Sequence, residues 1–529
     1  MCLNKRTLQF AILLLGKMRN WFSSAVMSFL LPAVCLAQSA GTQRIAGWTW
    51  VGGSNAIHQP GDYRTVGKFA PGNVPPSRSD AVSWTGKNGN LWLFGGVGDP
   101  ATNAFGIFLN DLWEFNPGLR EWAWMGGSDG SETEGEVDGI YGSIGRPDKG
   151  NVPGTRSEAV GWTDKDGNLW LFGGRGNDET GSFGALNDLW EYVPSTHEWT
   201  WMGGSSLVGK NGGQPGIYGT LAVPAPGNIP GSRSGAVGWT DQKGNLWLFG
   251  GIGFDANGVP DILDDLWEYD RTLNEWAWMG GHNTLAKSGG GWPGVYGILG
   301  KPAPGNTPGS RSGAVGWTDR EGNLWLFGGG GIDANGASIR LNDLWKWNPT
   351  TRAWSWMGGS TTSAGCSSPQ QGPIVVCKGR PGVYGTLGVS AASNIPGARS
   401  SAATWTDEAG NFWLLGGSGY DSAGNPGNLN DFWRFSPSSN SWTWIGGKSV
   451  AGGCQPVPEL GISCNGQPGI YGNLGTSGLE NAPGGRHGAV AWKDHAGNFW
   501  LFGGFGTDRV GKSMGALNDL WEYRVGGTD

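Results

Sequence analysis

Three side chains in this sequence combine proton chemistry with singular placement: Asp80, Glu158 and His487. Each stands at the head of one of six similar segments. These read Arg78-Ser79-Asp80, Arg156-Ser157-Glu158, Arg233-Ser234-Gly235, Arg311-Ser312-Gly313, Arg399-Ser400-Ser401 and Arg486-His487-Gly488. The first residue never varies, the second varies once, and the third carries a carboxylate in two neighbouring segments only. Carboxylates there could accept hydrogen bonds from a ligand or take a proton as general base, with His487 as proton partner. The arginines and serines could donate to a ligand; each arginine could equally pair with a backbone carbonyl or with an acid of the next segment. An asymmetric ligand requires this kind of variation on a fixed frame.

Other chemistry finds less support. The five histidines show no metal-ligand spacing, so neither metal nor cofactor is expected. There is no phosphate-binding loop, G-x-S-x-G element or helix-borne HExxH. Acidic, turn-rich pieces at Asp255, Asp333 and Asp421 could hold calcium, although Asx turns explain them as well. Of the 33 tryptophans, 30 recur at five fixed positions per segment and read as packing. Trp292 lies off that pattern, opens a long loop, and is a candidate ligand platform. A tyrosine in each long loop (Tyr63, Tyr141, Tyr218, Tyr296, Tyr384, Tyr471) reads as a pin holding the loop to the scaffold. The acid of each LNDLW-type run, such as Asp188, reads as structural, accepting from turn backbone.

The elements that position these residues recur with the arginines, at intervals of 78, 77, 78, 88 and 87 residues. A long fixed period means one supersecondary unit stacked on copies of itself. Each copy holds four short apolar runs, exemplified by AVGW, NLWLFGG, DLWEY and EWTWMGG between Ala159 and Gly204. Their β-branched and aromatic content, bounded by Gly, Asp and Pro, predicts strands in an antiparallel meander. The last copy stops after its third strand, and GWTWVGG (Gly47–Gly53) supplies the missing fourth at the other end of the chain. The long connections, between strands two and three and between strand four and the next strand one, emerge on one side. That side is the expected binding face.

An arginine before strand one, a hydrophobic strand ending in Gly-Gly, an aromatic in strand three and a tryptophan in strand four resemble the kelch repeat. The resemblance covers residues 47–529 and implies an all-β, six-bladed kelch-type β-propeller. Each blade would have four antiparallel strands, the last closed by the N-terminal strand. The architecture is similar to the central domain of galactose oxidase and to bacterial sialic-acid mutarotases. The copies here are longer than the usual kelch unit of about 50 residues. Related propellers hold acidic ligands with arginines and serines at the mouth, which correspond here to Arg78, Ser79, Arg156, Ser157, Arg233, Ser234, Arg311, Ser312, Arg399, Ser400 and Arg486. The copper-oxidase residues do not carry over.

Residues 1–37 read as a secretory signal, with Met18-Arg19-Asn20 ahead of an apolar stretch and cleavage after Ala37; 38–46 read as a short linker. Cys366 and Cys377 share one extended loop, and Cys454 and Cys464 share the next, which predicts two local disulfides compatible with secretion. The net charge of −7 and the absence of a basic patch argue against nucleic acid as a partner. The expected protein is a monomer, secreted, periplasmic or at the cell surface, with no membrane span after cleavage. It would bind a glycan or an extracellular protein; a metal-independent mutarotase or epimerase, or a structural envelope protein, are the alternatives.

Overall fold

The computed structural model describes residues 47–99, 106–130, 137–286, 290–367, 376–457 and 461–525. They belong to one compact unit, Ile45–Asp529. The expected leader, 1–37, and linker, 38–46, lie outside the described residues. Among the described residues all regular elements are strands, and no helix is long and apolar enough to cross a membrane.

The second copy shows how sequence becomes sheet. Val160–Thr163 pairs with Leu169–Asn177, which pairs with Phe183–Val193, which pairs with Glu198–Gly203, all antiparallel. Successive side chains of a strand point to opposite faces. In Leu169–Phe172 both faces are apolar and both are buried. Leu169 and Leu171 pack against Val82 and Trp84 of the preceding copy. Trp170 and Phe172 pack against Leu246 and Leu248 of the following one. A sheet written this way is stable only between two neighbours, and the second copy has them.

The same four-strand order recurs through the chain. In the last copy the fourth place is taken by Gly47–Gly52, which pairs antiparallel with Met514–Arg524 and sets Trp50 opposite Trp521. The innermost strands touch in succession: Val82–Thr85 lies against both Val160–Thr163 and Val490–Lys493. Neighbouring copies are also fastened by indole hydrogen bonds: Trp84 Nε1 donates to the Trp170 carbonyl and Trp162 Nε1 to that of Trp247. Backbones crowd where the second strand ends. Gly173 has φ 63°, and a Cβ there would lie 2.9 Å from the carbonyl oxygens of Arg233 and Leu186.

An outermost strand would leave its backbone groups open to another chain. Here the long loops cover it. Gly145 and Asp148 donate to the carbonyls of Trp201 and Trp199, and Asn151 Nδ2 adds a third bond to Trp199 at 3.0 Å. Ser390–Ala391 pairs with Ser441–Gly446, and Ser477–Gly478 pairs with Gly47–Gly52, in the same way.

The longer copies carry local staples. Cys454 and Cys464 form a disulfide at the base of a small hairpin. Cys366 is disulfide-bonded and lies directly opposite Cys377 in the corresponding hairpin. The Cys377 side chain itself lies outside those described.

Candidate functional site

The arginines come first, because they set the frame. Arg156 is 1% exposed, and its two terminal nitrogens bind the two oxygens of Asp188 at 2.8 Å each. Two further donors go to the carbonyls of Gly154 and Gly173 at 3.0 Å. Asp188 also accepts from the Tyr141 hydroxyl and from Trp190 Nε1, each at 2.7 Å. This Tyr–Asp–Arg–Trp cluster is built in all six copies, around Asp111, Asp188, Asp265, Asp343, Asp431 and Asp519. Bidentate, charge-assisted pairing of this kind fixes geometry as well as charge. The guanidinium groups of Arg78, Arg156, Arg233, Arg311, Arg399 and Arg486 are therefore buried and hydrogen-bonded inside their own copies. The tyrosines pin their loops, as the sequence suggests. The aspartates are structural too, but they accept from side chains rather than from turn backbone.

The residue two places after each arginine forms a second arrangement. The Asp80 amide donates to the Gly488 carbonyl, Gly488 to Ser401, Ser401 to Gly313, Gly313 to Gly235, Gly235 to Glu158, and Glu158 back to Asp80, at 2.7–2.9 Å. All six have left-handed backbone, with φ between 54° and 64°. Glycine adopts that conformation freely, whereas an L side chain there costs roughly 1–2 kcal/mol. Three of the six are not glycine: Asp80, Glu158 and Ser401. Sustained strain of this kind concentrates where side chains are needed for a task.

These three side chains, with Ser312 and Ser400, line a cavity of about 340 Å³ at the end of the strands that bears the long loops. No basic side chain is among its lining residues. At the opposite end, a cavity of about 390 Å³ is lined by the repeated threonines Thr85, Thr163, Thr240, Thr318 and Thr406, with Lys493. That end repeats one chemistry nearly unchanged; the loop end does not.

Burial pushes the Asp80 carboxyl above its usual range, opposed by a 2.8 Å hydrogen bond from Ser79. Glu158 is raised by burial and then by the Asp80 charge, opposed by a 2.8 Å bond from Ser234, by Arg175 and by His487. Glu158 is solvent-accessible although protein surrounds it, because it projects into the cavity. A Cβ on Gly488 would overlap the Asp80 carboxylate, so a glycine beside His487 gives that carboxylate its room. His487 stands just outside the cavity lining. Burial, then Arg340, lower its pKa to about 4, with Glu158 opposing, so the ring is neutral near pH 7. Its Nδ1 meets Asn428 Oδ1 at 2.8 Å, which places the ring proton on Nδ1 and leaves Nε2 as the acceptor. The structure thus brings Asp80, Glu158 and His487 into one electrostatic neighbourhood. Ser79, Ser157 and Ser234 are buried behind it.

The residue directly after each Gly-Gly pair, next outward from the serines, was not singled out by sequence reasoning. It is Val97, Arg175, Ile252, Gly330, Ser418 and Phe505, opposite Ser79, Ser157, Ser234, Ser312, Ser400 and His487. Subtracting the repeat at this position would have exposed Arg175 as the singular cation.

Trp292 has a different setting. Its indole stacks on His282 with centroids 3.9 Å apart and donates to the Thr284 carbonyl at 2.7 Å. His282 Nδ1 in turn meets Asp264 at 2.7 Å. Other copies place asparagine where Asp264 stands, donating to a proline carbonyl of the next loop, as Asn187 does to Pro230. The aspartate has no such N–H, and Thr307 Oγ1 donates to the Pro308 carbonyl instead. The third copy has therefore changed several contacting positions together, and one face of Trp292 is occupied by His282. The acidic loops at Asp255, Asp333 and Asp421 are Asx turns: Asp255 Oδ1 accepts from Asn257 and Val259, and Oδ2 from Leu285. Among the described residues no group of acidic, histidine and cysteine side chains could hold a metal ion.

No protein-family model matches the chain, and no curated protein matches it.

Proposed function

We propose that the chain is a six-bladed kelch-type propeller, secreted as a monomeric binding module, and that it recognises a glycan in the axial cavity lined by Asp80, Glu158, Ser312, Ser400 and Ser401. The cycle of six backbone hydrogen bonds and the pairing of Gly47–Gly52 with Met514–Arg524 support closure of the ring. The Cys454–Cys464 disulfide accords with export.

The function rests on one observation: three of six axial positions hold a side chain in a backbone conformation that favours glycine, and two of those are carboxylates facing the cavity. Carboxylates and serine hydroxyls together accept from and donate to the hydroxyls of a sugar. A peptide would most readily add a strand to an open sheet edge, and the outer edges in this chain are covered by loops. With the arginines committed to Asp188 and its counterparts, a neutral or cationic sugar fits the cavity better than an acidic one.

A printed array of oligosaccharides tests the proposal on the mature protein. Binding that disappears in both Asp80→Gly and Glu158→Gly is the expected result. Binding that survives both would remove the cavity from consideration. The neutral His487 close to a raised Glu158 favours a second reading, a metal-independent epimerase or mutarotase with Glu158 as base and His487 as proton partner. NMR would separate the two, by faster interconversion of the α- and β-anomer signals for a mutarotase or by deuterium uptake from solvent at the inverted carbon for an epimerase.

A further inference from the structure

We infer that a second subsite runs outward from the axial cavity across the second copy and takes the next ring of an oligosaccharide; this rests on the glycan reading above. Arg175 lies opposite Ser157, next to Glu158, and its charge favours the ionised form of that carboxylate. Its guanidinium sits over the Phe183 ring, 5.2 Å from the centroid. Phe183 lies opposite Asn177 on the third strand and is 37% exposed. Its ring meets Phe108 of the preceding copy edge to face at 4.8 Å.

The path from Ser157 to Phe183 crosses two strand spacings and runs two residues along the third strand, roughly 12 Å in all. Along it the chemistry changes from carboxylate to cation to an apolar aromatic pair. Hydroxyls of a first sugar would meet Glu158 and Arg175, and the apolar face of a second ring would lie on Phe183.

Packing does not demand this pair elsewhere. The places equivalent to Phe108 hold Ala185, Ile262, Arg340, Asn428 and Ala516, so among the described residues no other copy repeats the aromatic pair; between the fifth and sixth copies the same two places bring Asn428 Nδ2 to Met514 Sδ at 3.2 Å. The aromatic pair also falls on the two copies that carry Asp80 and Glu158. Phe183 is exposed and Phe108 partly buried, and Arg175 links them to Glu158 at the cavity; an apolar surface beside a few polar groups is the composition of a ligand site.

The test uses the mature protein and its Phe183→Ala, Phe108→Ala and Phe183→Trp variants. A printed series of oligosaccharides from monomer to hexamer identifies a binding sugar, and calorimetry then compares its mono- and disaccharide. The disaccharide is expected to bind about tenfold more tightly, equivalent to about 1.4 kcal/mol. Phe183→Ala should abolish that gain while leaving the monosaccharide affinity unchanged and lowering the melting temperature no more than Phe108→Ala does; Phe108→Ala should reduce the gain and Phe183→Trp should restore it. A gain that survives Phe183→Ala overturns the subsite, as does equal loss for both sugars. Monosaccharide binding with no gain overturns the subsite alone, whereas no binding to any sugar overturns the glycan reading with it.

Discussion

Replacing Glu158 by glycine and by alanine gives a sharp test of strain in the cycle of six backbone hydrogen bonds. At φ 54° an L side chain costs roughly 1–2 kcal/mol. Both replacements lose the Ser234 hydrogen bond and the carboxylate equally, so those contributions cancel when the two variants are compared. Alanine keeps the strain and glycine removes it. Glycine loses more backbone entropy on folding, roughly 0.5–1 kcal/mol. The glycine variant should therefore be more stable than the alanine variant by about 1 kcal/mol, the reverse of the usual order. Ser157, one residue earlier in regular strand conformation, is the control, and there alanine should be the more stable. Urea unfolding followed by tryptophan fluorescence measures both differences. If alanine equals or exceeds glycine at 158, the cycle stores no strain, and the argument that Asp80, Glu158 and Ser401 are retained for binding fails.

Breaking one framework cluster should be costly: Asp188→Asn or Arg156→Met is expected to lose about 3–5 kcal/mol, because the partner is left buried and unpaired. Arg156→Met combined with Asp188→Leu should cost well below the sum of the single changes in the same urea assay. His487, with its pKa lowered to about 4, stays neutral where the unfolded chain takes up a proton, so stability falls as pH drops from the unfolded value of 6.5 through about 4 and levels off below. The His487→Gln variant should lack that contribution, about 3 kcal/mol at most, which is read from the difference between the two pH–stability curves. Replacing Cys454 and Cys464 together by alanine should cost about 2–3 kcal/mol, and a reducing agent should then no longer lower the melting temperature through this hairpin.

The sequence carried the repeat and its strands because both are periodic and local. Alternation in Leu169–Phe172 writes two apolar faces onto one strand, and the recurring tryptophans write the packing between copies. The fourth strand at Gly47–Gly52 was legible for the same reason: its text matches a place left empty at the other end of the chain. Subtracting the repeat also isolated Asp80, Glu158 and His487, because a departure from a strict frame is visible without coordinates. What the pattern could not say was which way a repeated polar group turns. Arg156 could face a ligand or an acid, and the outcome depends on Asp188, 32 residues away, reaching it across the sheet. The left-handed backbone at Glu158, the stacking of Trp292 on His282 and the meeting of Phe108 with Phe183 are likewise contacts between segments remote in sequence. Periodicity along a chain fixes which faces are apolar. Only the packing of one copy against the next decides which polar side chains are consumed by the frame and which are left facing the cavity.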